Sequence, residues 1–191
     1  MKLNQQSGND LELELLWEKV CEGNKKALEQ LFRQTFDTLY RYGYRIIPNS
    51  ENVRDAIQEV FFQIWKYREN LEKPKSVKAY IFISLRRELL NKKKADQRRD
   101  EIDSKYQKES FDLLVNFGNW EQILDLEGEQ GKELKKAIEK LSASQREVIY
   151  LKYFEGMLTE EISEILQVRS QSIYNLAFDA IKNLRKFLDK G

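Results

Sequence analysis

Residues 53–65, VRDAIQEVFFQIW, carry the pattern that decides the fold. Apolar side chains recur there at steps of three and four residues, namely Val53, Ala56, Ile57, Val60, Phe61, Ile64 and Trp65. This spacing predicts an amphipathic α-helix that buries one stripe of side chains. Only 2 prolines and 8 glycines occur in 191 residues, which disfavours β folds with many tight turns. The sequence therefore predicts an all-α protein.

The same apolar spacing continues on both sides of this segment. Upstream it runs from residue 28 to residue 47 and stops at Pro-Asn-Ser, and downstream a third helix is predicted from about Ser76 into a basic cluster. Helical periodicity is weakest between residues 100 and 130, a segment that contains 9 acidic and 2 basic residues. We therefore expect an N-terminal helical bundle at 11–99, an acidic linker at 100–130 and a second small helical domain at 131–189.

The C-terminal segment has the start and stop signals of a helix-turn-helix. Ser142 and Gln145 fit a capping box for a helix that stops near Gly156. Thr159 is the expected N-cap of the next helix, whose first turn holds two glutamates. A short turn at 167–169 then precedes a last amphipathic helix. Two helices joined in this way are typical of the helix-turn-helix motif, although many helical hairpins with this pattern do not touch DNA.

The composition excludes most hydrolytic and metal chemistry. The chain has no histidine and one cysteine, Cys21, so it lacks a Cys/His zinc cluster, a Ser-His-Asp triad and an internal disulfide. We expect no enzyme activity, no cofactor and no metal site. No apolar run approaches the roughly 18 residues of a membrane span, and the N-terminus has no signal-peptide core. We therefore expect a cytoplasmic protein without membrane insertion.

Charge is segregated along the chain although the net charge is only +1. Residues 84–99 hold 7 basic and 2 acidic residues, and the acidic stretch at 100–130 follows directly. Such a basic cluster is dense enough to attract a polyanion. A solvated helix end is an equally good interpretation, because short Lys/Arg clusters are common.

Three helix faces carry candidate functional residues when placed at 100° per residue. The first face lies opposite the core stripe of residues 53–68 and holds Asp55, Gln58, Glu59, Phe62 and Lys66, bordered by Trp65. An aromatic ring within a polar face is a recognisable anchor for a protein partner, unless another part of the chain covers it.

The second face, on residues 77–94, mixes cations with apolar groups: Tyr80, Ile83 and Leu90 alternate with Arg86, Arg87, Lys93 and Lys94. Cations beside rings suit single-stranded nucleic acid, although Ile83 and Leu90 could instead bury in a core. The third face, on the last helix, holds Gln171, Ser172, Tyr174, Asn175, Phe178, Asp179, Lys182, Arg185 and Lys186. Small polar groups at its start suit base edges or phosphates, whereas Asp179 is unfavourable near phosphates.

Two separate sets of motifs resemble one known family, the bacterial sigma factors of the small, two-domain extracytoplasmic-function (ECF) type within the sigma-70 family. DAIQEVFFQIWKYREN, residues 55–70, is similar to the family's core-polymerase-binding motif, and KAYIFISLRRELLNKKK, residues 78–94, to the helix that melts and reads the promoter. Residues 138–166 resemble the family's fourth region, and VRSQSIYNLAFDAIKNLRKFL, residues 168–188, its recognition helix.

The resemblance implies a non-catalytic initiation factor of the bacterial cytoplasm and nucleoid. Its expected partners are core RNA polymerase, through the β′ clamp helices and the β flap, promoter DNA, and in some members an anti-sigma factor. The residues implied to bind core polymerase are Asp55, Gln58, Glu59, Phe62 and Trp65. Those implied to take the separated strand at the −10 element are the loop from Asn70 to Ser76 with Tyr80, Arg86, Arg87, Lys92, Lys93 and Lys94. Those implied to enter the major groove at the −35 element are Arg169, Ser170, Gln171, Ser172, Tyr174, Asn175 and Phe178.

The chain departs from the family pattern at several of these positions. Arg87 stands where the family usually has Asn, and the recognition helix carries Tyr174, Asn175, Phe178 and Asp179 where many members have more Arg and Lys. These departures bear on the promoter sequence and not on the class. Two alternatives remain: a DNA-binding regulator that never touches polymerase, and a decoy that binds an anti-sigma protein. The face from Asp55 to Trp65 argues against the first, and the basic cluster at 86–99 against the second.

Overall fold

The computed structural model describes residues 3–100 and 129–188, and the predicted acidic linker lies almost wholly outside them. The described residues form helices and the turns between them, which confirms the all-α prediction for this part of the chain. The chain divides into two compact units, Met1–Asp100 and Glu101–Gly191. None of the helices in the described ranges combines the length and the apolar character that a bilayer span requires.

Four helices pack together in the first unit. They are α1 (Leu3–Cys21), α2 (Lys25–Ile46), α3 (Ser50–Tyr67) and α4 (Val77–Asp100), with a 3₁₀ turn at Arg68–Asn70 after α3. Asparagines begin α2 and α3: the side chain of Asn24 accepts from the Ala27 N–H at 3.1 Å, and that of Asn49 from the Asn52 N–H at 3.0 Å. Each cap satisfies a backbone donor that the first helical turn leaves without a partner.

Helix α1 was not predicted, because the expected domain began at residue 11 without an assigned helix. Its buried residues nevertheless follow helical spacing, at Leu13, Leu16, Trp17 and Val20. Burying this stripe on α2 and α4 removes a large apolar area from water and makes α1 part of the core.

Gly43 lets α2 approach α3 and α4 closely. A Cβ atom at this position would lie 2.8 Å from Val53 Cγ1 and 3.2 Å from Leu89 Cδ1. Close beneath it, the rings of Tyr42 and Phe82 pack at a centroid distance of 4.9 Å. All residues of the predicted α3 stripe except Trp65 are buried, and α3 is confirmed as a helix.

The second unit contains α5 (Glu129–Glu139), α6 (Ala143–Ile149), a π-helical turn at Tyr150–Phe154, α7 (Thr159–Leu166) and α8 (Ser170–Leu188). The predicted capping box at Ser142 and Gln145 is confirmed, with reciprocal hydrogen bonds of 3.2 and 3.1 Å. The chain reverses direction between α7 and α8 at Gln167, which has a φ of 56° and lies in the left-handed region. Helix α8 packs on α5, α6 and α7. Helices α7 and α8, joined by this short turn, are the pair that the sequence predicted as a helix-turn-helix.

The predicted N-cap at Thr159 is wrong by one residue. Leu158 occupies the cap position of α7, and its backbone N–H donates to Glu161 Oε2 at 2.8 Å. Thr159 is instead the first helical residue and is buried, with its hydroxyl oxygen accepting from Lys152 Nζ at 3.1 Å. The start of α7 is therefore stabilised by the Glu161 carboxylate, which accepts from the Leu158 N–H, and not by the Thr159 hydroxyl.

Candidate functional site

The outer face of α3 is exposed as the sequence predicted. Asp55 and Gln58 are exposed, Glu59 and Trp65 are half-buried, and the ring of Phe62 is 56% exposed in the middle of the face. Glu59 accepts a hydrogen bond from the Gln63 side chain one turn along the helix. A large apolar group thus stands in water, ringed by polar groups, as expected of an anchor residue at a protein interface.

Trp65 borders this face and is held in place by Arg68. The Arg68 guanidinium lies over the Trp65 ring at 4.5 Å from the centroid, and its Nη1 donates to the Trp65 carbonyl oxygen at 2.9 Å. Cation–π contact and the backbone hydrogen bond together restrict both side chains. The edge of the α3 face at Trp65 is therefore packed against Arg68, whereas its centre at Phe62 is exposed.

Arg86 does not lie on an exposed face of α4, and this part of the prediction is wrong. Its side chain is 4% exposed, and Leu90 beside it on the wheel is buried as well. The reason is that α4 packs against α1, α2 and α3 together, so only a narrow strip of its surface stays in water. A long arginine side chain can bury its aliphatic stem in such a position. Arg87, one residue later, is exposed.

A groove of about 420 Å³ runs between α3 and α4. Its walls include Tyr67 and Gln63 from α3, and Tyr80 and Arg87 from α4. The Tyr80 ring meets the ring of Trp17 edge-on at 5.0 Å, and burial raises the pKa of the Tyr80 hydroxyl. Glu59 and Glu88 also line the groove. It therefore offers rings, one exposed arginine and two carboxylates to a ligand, in the volume range of ordinary ligand pockets.

The lysines that follow the groove are partly exposed. Lys92 Nζ lies 3.9 Å from Asp55 Oδ2, so it links the basic end of α4 to the polar face of α3. This pair is largely solvated and contributes at most about 1 kcal/mol. Burial lowers the pKa of Lys93, while Lys94 is half-buried. The predicted cationic strip thus consists of Arg87 and Lys92–Lys94, without Arg86.

On α8 the predicted face is exposed along its first half. Arg169, Gln171, Ser172 and Asn175 are exposed and Ser170 is half-buried. Gln171 Nε2 donates to Asn175 Oδ1 at 3.1 Å, which orders two amides one turn apart. Amides and hydroxyls at this density can read base edges through hydrogen bonds.

Two rings lie on the same face of α8. Tyr174 is 52% exposed and Phe178, one turn later, is 70% exposed. Lys152 Nζ lies 5.7 Å from the centroid of the Tyr174 ring and also donates to Thr159, so it connects α7 and α8. Lys152 is a residue that sequence reasoning missed, because its contacts depend on how the π-helical turn aims it.

Within residues 3–100 and 129–188, His, Cys, Asp and Glu side chains nowhere gather in threes as a metal ion would require. The sulfhydryl of Cys21 donates weakly to the Leu71 carbonyl oxygen at 4.0 Å, and burial together with Glu18 and Glu22 raises its pKa. A raised pKa leaves the thiol protonated at neutral pH, so Cys21 is not an activated nucleophile.

Comparison with known proteins shows what kind of protein carries these surfaces. Residues 31–99 match "Sigma-70 region 2" and residues 131–184 match "Sigma-70, region 4". The chain is 22% identical over 185 residues to the ECF RNA polymerase sigma factor SigK of Mycobacterium ulcerans, covering 95% of this chain and 96% of that one. It is 23% identical over 178 residues to SigK of a Mycobacterium species, strain JLS, covering 93% and 91%.

Two solved structures share the fold. CnrH, in complex with the cytosolic domain of CnrY, has a TM-score of 0.60 at 18% identity and covers 94% of this chain and 98% of its own. The sigma factor RpoE from Bartonella quintana, in complex with the anti-sigma factor NepR, has a TM-score of 0.59 at 22% identity, with coverages of 86% and 98%.

The two matched regions together span well over half of the chain and occur in the order found in the family. The chain belongs to the sigma-70 family of RNA polymerase sigma factors, and its relatives place it in the ECF type. It is a non-enzymatic transcription initiation factor.

Proposed function

We propose that this initiation factor binds core RNA polymerase through the outer face of α3 and directs the enzyme to promoters by reading two DNA elements. The −10 element is read by the first unit and the −35 element by the second. The observation that carries the proposal is the ring of Phe62, 56% exposed among polar groups on a helix whose other side is fully buried.

The chemistry of the α3 face favours a protein partner over DNA. Asp55 and Glu59 precede Phe62 on this face by about two turns and one turn, and carboxylates this close to the ring disfavour a polyanion. A protein surface with a hydrophobic pocket and neighbouring cations would bury the ring and pair with the acids. The β′ clamp helices are the expected partner because residues 55–70 resemble the family's core-polymerase-binding motif.

The groove beside this face supports capture of an unstacked strand at the −10 element. Tyr67 and Tyr80 offer rings on which a base can stack, and each stacked base contributes about 1–3 kcal/mol. Arg87 lies in the groove wall with Glu59 and Glu88, so the phosphates of the strand would meet Lys92–Lys94 farther along α4 rather than the groove itself. The loop at residues 70–76 leads from α3 into α4, and Leu71 of this loop lines the groove.

The exposed face of α8 supports reading of duplex DNA at the −35 element. Gln171 and Asn175 present amides, which pair well with adenine in the major groove. Lys182 and Arg185 follow on the same side of the helix and suit phosphate contacts. Each unit alone would bind weakly, and joining them in one chain raises the effective concentration of the second contact after the first has formed.

An anti-sigma factor fits the same proposal as a competitor. CnrH and RpoE were both solved with a protein that binds them, and in the second case that protein is an anti-sigma factor. A partner that covered Phe62 would block polymerase binding directly. We place the protein in the bacterial cytoplasm at the nucleoid, where polymerase and promoters are found.

The proposal is tested by a pull-down with core polymerase. Gln58→Ala together with Phe62→Ala removes the centre of the α3 face, and we expect the retained sigma factor to fall at least 30-fold, as for an interface hot spot. Leu11→Ala is the matched control, because Leu11 is 59% exposed on α1, away from this face. Unchanged retention of the double variant, at an unchanged melting temperature, would overturn the proposal.

A run-off transcription assay tests the promoter half of the proposal. Core polymerase with this protein, on fragmented genomic DNA, should yield discrete transcripts whose upstream sequences share two elements. A DNA-binding regulator that never contacts polymerase would bind fragments but would yield no transcripts. A decoy would give neither transcripts nor retained polymerase.

A further inference from the structure

The C-terminal half of α1 contacts the loop of residues 71–76, which leads into α4. Lys73 Nζ, in this loop, lies 2.8 Å from Glu18 Oε1 and 3.3 Å from Glu14 Oε2. The two glutamates are four residues apart, so one face of α1 presents both carboxylates to one ammonium group. The hydrogen bonds that Lys73 donates to the carboxylates of Glu18 and Glu14 raise the pKa of Lys73, which therefore keeps its charge at neutral pH.

Two further contacts join α1 to the same region. The Trp17 side chain is 1% exposed and packs edge-on against Tyr80 in the wall of the groove. Cys21, at the end of α1, contacts the Leu71 carbonyl at the start of the loop. The loop is thus held at its beginning by Cys21, in its middle by Lys73 and at the following helix by Trp17.

We propose that Glu14 and Glu18 are positioning residues that fix the loop 71–76, through Lys73, in the conformation that receives the separated DNA strand. This inference rests on the proposed function, because it presumes that the loop and groove take that strand. Neither carboxylate touches DNA in this account, and Lys73 is committed to α1 rather than to a phosphate. A loop fixed in advance loses less conformational entropy when the strand binds.

A different role for Lys73 makes the opposite prediction. If Lys73 contacted a phosphate, the two glutamates would compete with the DNA for it, and their removal would strengthen strand binding. If the glutamates position the loop, their removal weakens it. The sign of the effect therefore separates the two roles.

The experiment measures open-complex formation by permanganate reactivity of thymines, with holoenzyme on a promoter taken from the run-off assay. For Glu14→Gln with Glu18→Gln, and separately for Lys73→Met, we expect the same decrease of about two- to five-fold, the range for exposed ion pairs. Exchanging the charges, with Glu14→Lys, Glu18→Lys and Lys73→Glu in one chain, should restore formation to within about two-fold of the original protein. Glu29→Gln, in the exposed Glu29–Arg33 pair on α2, is the matched control and should change nothing.

Three results would overturn the inference. They are an unchanged or increased yield in the double glutamine variant, unequal losses in that variant and in Lys73→Met, or a charge exchange that fails to restore activity. Core-polymerase retention and melting temperature are measured on every variant and should match the original protein. If the original protein formed no open complex on any fragment, the proposed function would fail instead, so the two failures are distinguishable.

Discussion

The outer faces of α3 and α8 both expose aromatic rings, yet the groups around the rings differ. Phe62 on α3 follows the carboxylates of Asp55 and Glu59 and precedes Lys66. Tyr174 and Phe178 on α8 follow amides and hydroxyls and precede Asp179 and the cations Lys182 and Arg185. The ring supplies apolar contact in either setting, and the surrounding charge selects the kind of partner. Carboxylates directly before the ring disfavour a phosphate backbone, whereas amides and hydroxyls before the ring tolerate one.

Surrounding charge can select a partner only for side chains that reach solvent. The adjacent residues Arg86, which is buried, and Arg87, which is exposed, test this condition, and Arg86→Ala has the largest expected effect of the variants below. Arg86→Ala should lower the free energy of unfolding by about 1–3 kcal/mol, because the buried stem and its contacts are lost. Arg87→Ala should change it by less than about 0.5 kcal/mol and should weaken open-complex formation. Urea unfolding measures the first quantity, and equal losses of stability for both arginines would contradict the assignment of Arg86 to the core.

Phe178→Ala has a smaller expected effect, and this effect is on promoter affinity. Phe178→Ala should reduce holoenzyme affinity for the promoter about five-fold, equivalent to about 1 kcal/mol, because a base-edge contact is lost while the phosphate contacts remain. Leu188→Ala, near the end of the same helix, is the control and should leave promoter affinity unchanged. A loss of core-polymerase retention in Phe178→Ala, with promoter affinity preserved, would show that this ring also serves a protein partner.

Lys152→Met has the smallest expected effect on promoter affinity. It tests how much the contact with Lys152 contributes to the position of the Tyr174 ring on α8. Lys152→Met removes the cation near Tyr174 and the hydrogen bond to Thr159. We expect promoter affinity to fall about two-fold, since exposed cation–π contacts contribute about 0.5–1 kcal/mol. Filter binding with holoenzyme measures this change, and a ten-fold loss would point instead to a direct phosphate contact by Lys152.

The sequence predicted the elements whose packing is local and regular. The stripe from Val53 to Trp65 gave α3, and Ser142 with Gln145 gave the start of α6, because a cap and a stripe are set by residues three or four apart. Helix α1 shows the same spacing at Leu13, Leu16, Trp17 and Val20 and could have been found by the same test.

Other features depend on partners distant in the sequence and could not be predicted from spacing. A wheel gives α4 two sides, whereas packing against three helices buries Arg86 on what seemed to be an open side. Lys73 meets Glu18 across 55 residues, and nothing in the local pattern of either segment indicates that pair. The helical wheel did predict that Phe62 on α3 and the rings of Tyr174 and Phe178 on α8 are exposed, although α8, like α4, packs on three of the described helices.

The most direct measurement compares Phe62→Ala and Phe178→Ala in parallel, with core-polymerase affinity and holoenzyme–promoter affinity determined for each. The account predicts a crossed pattern. Phe62→Ala should lose core affinity, yet once saturating polymerase has assembled the holoenzyme it should bind the promoter normally. Phe178→Ala should bind core polymerase normally and lose promoter affinity. Equal effects of both variants on both measurements would contradict the claim that surrounding charge assigns one ring to protein and the other to DNA.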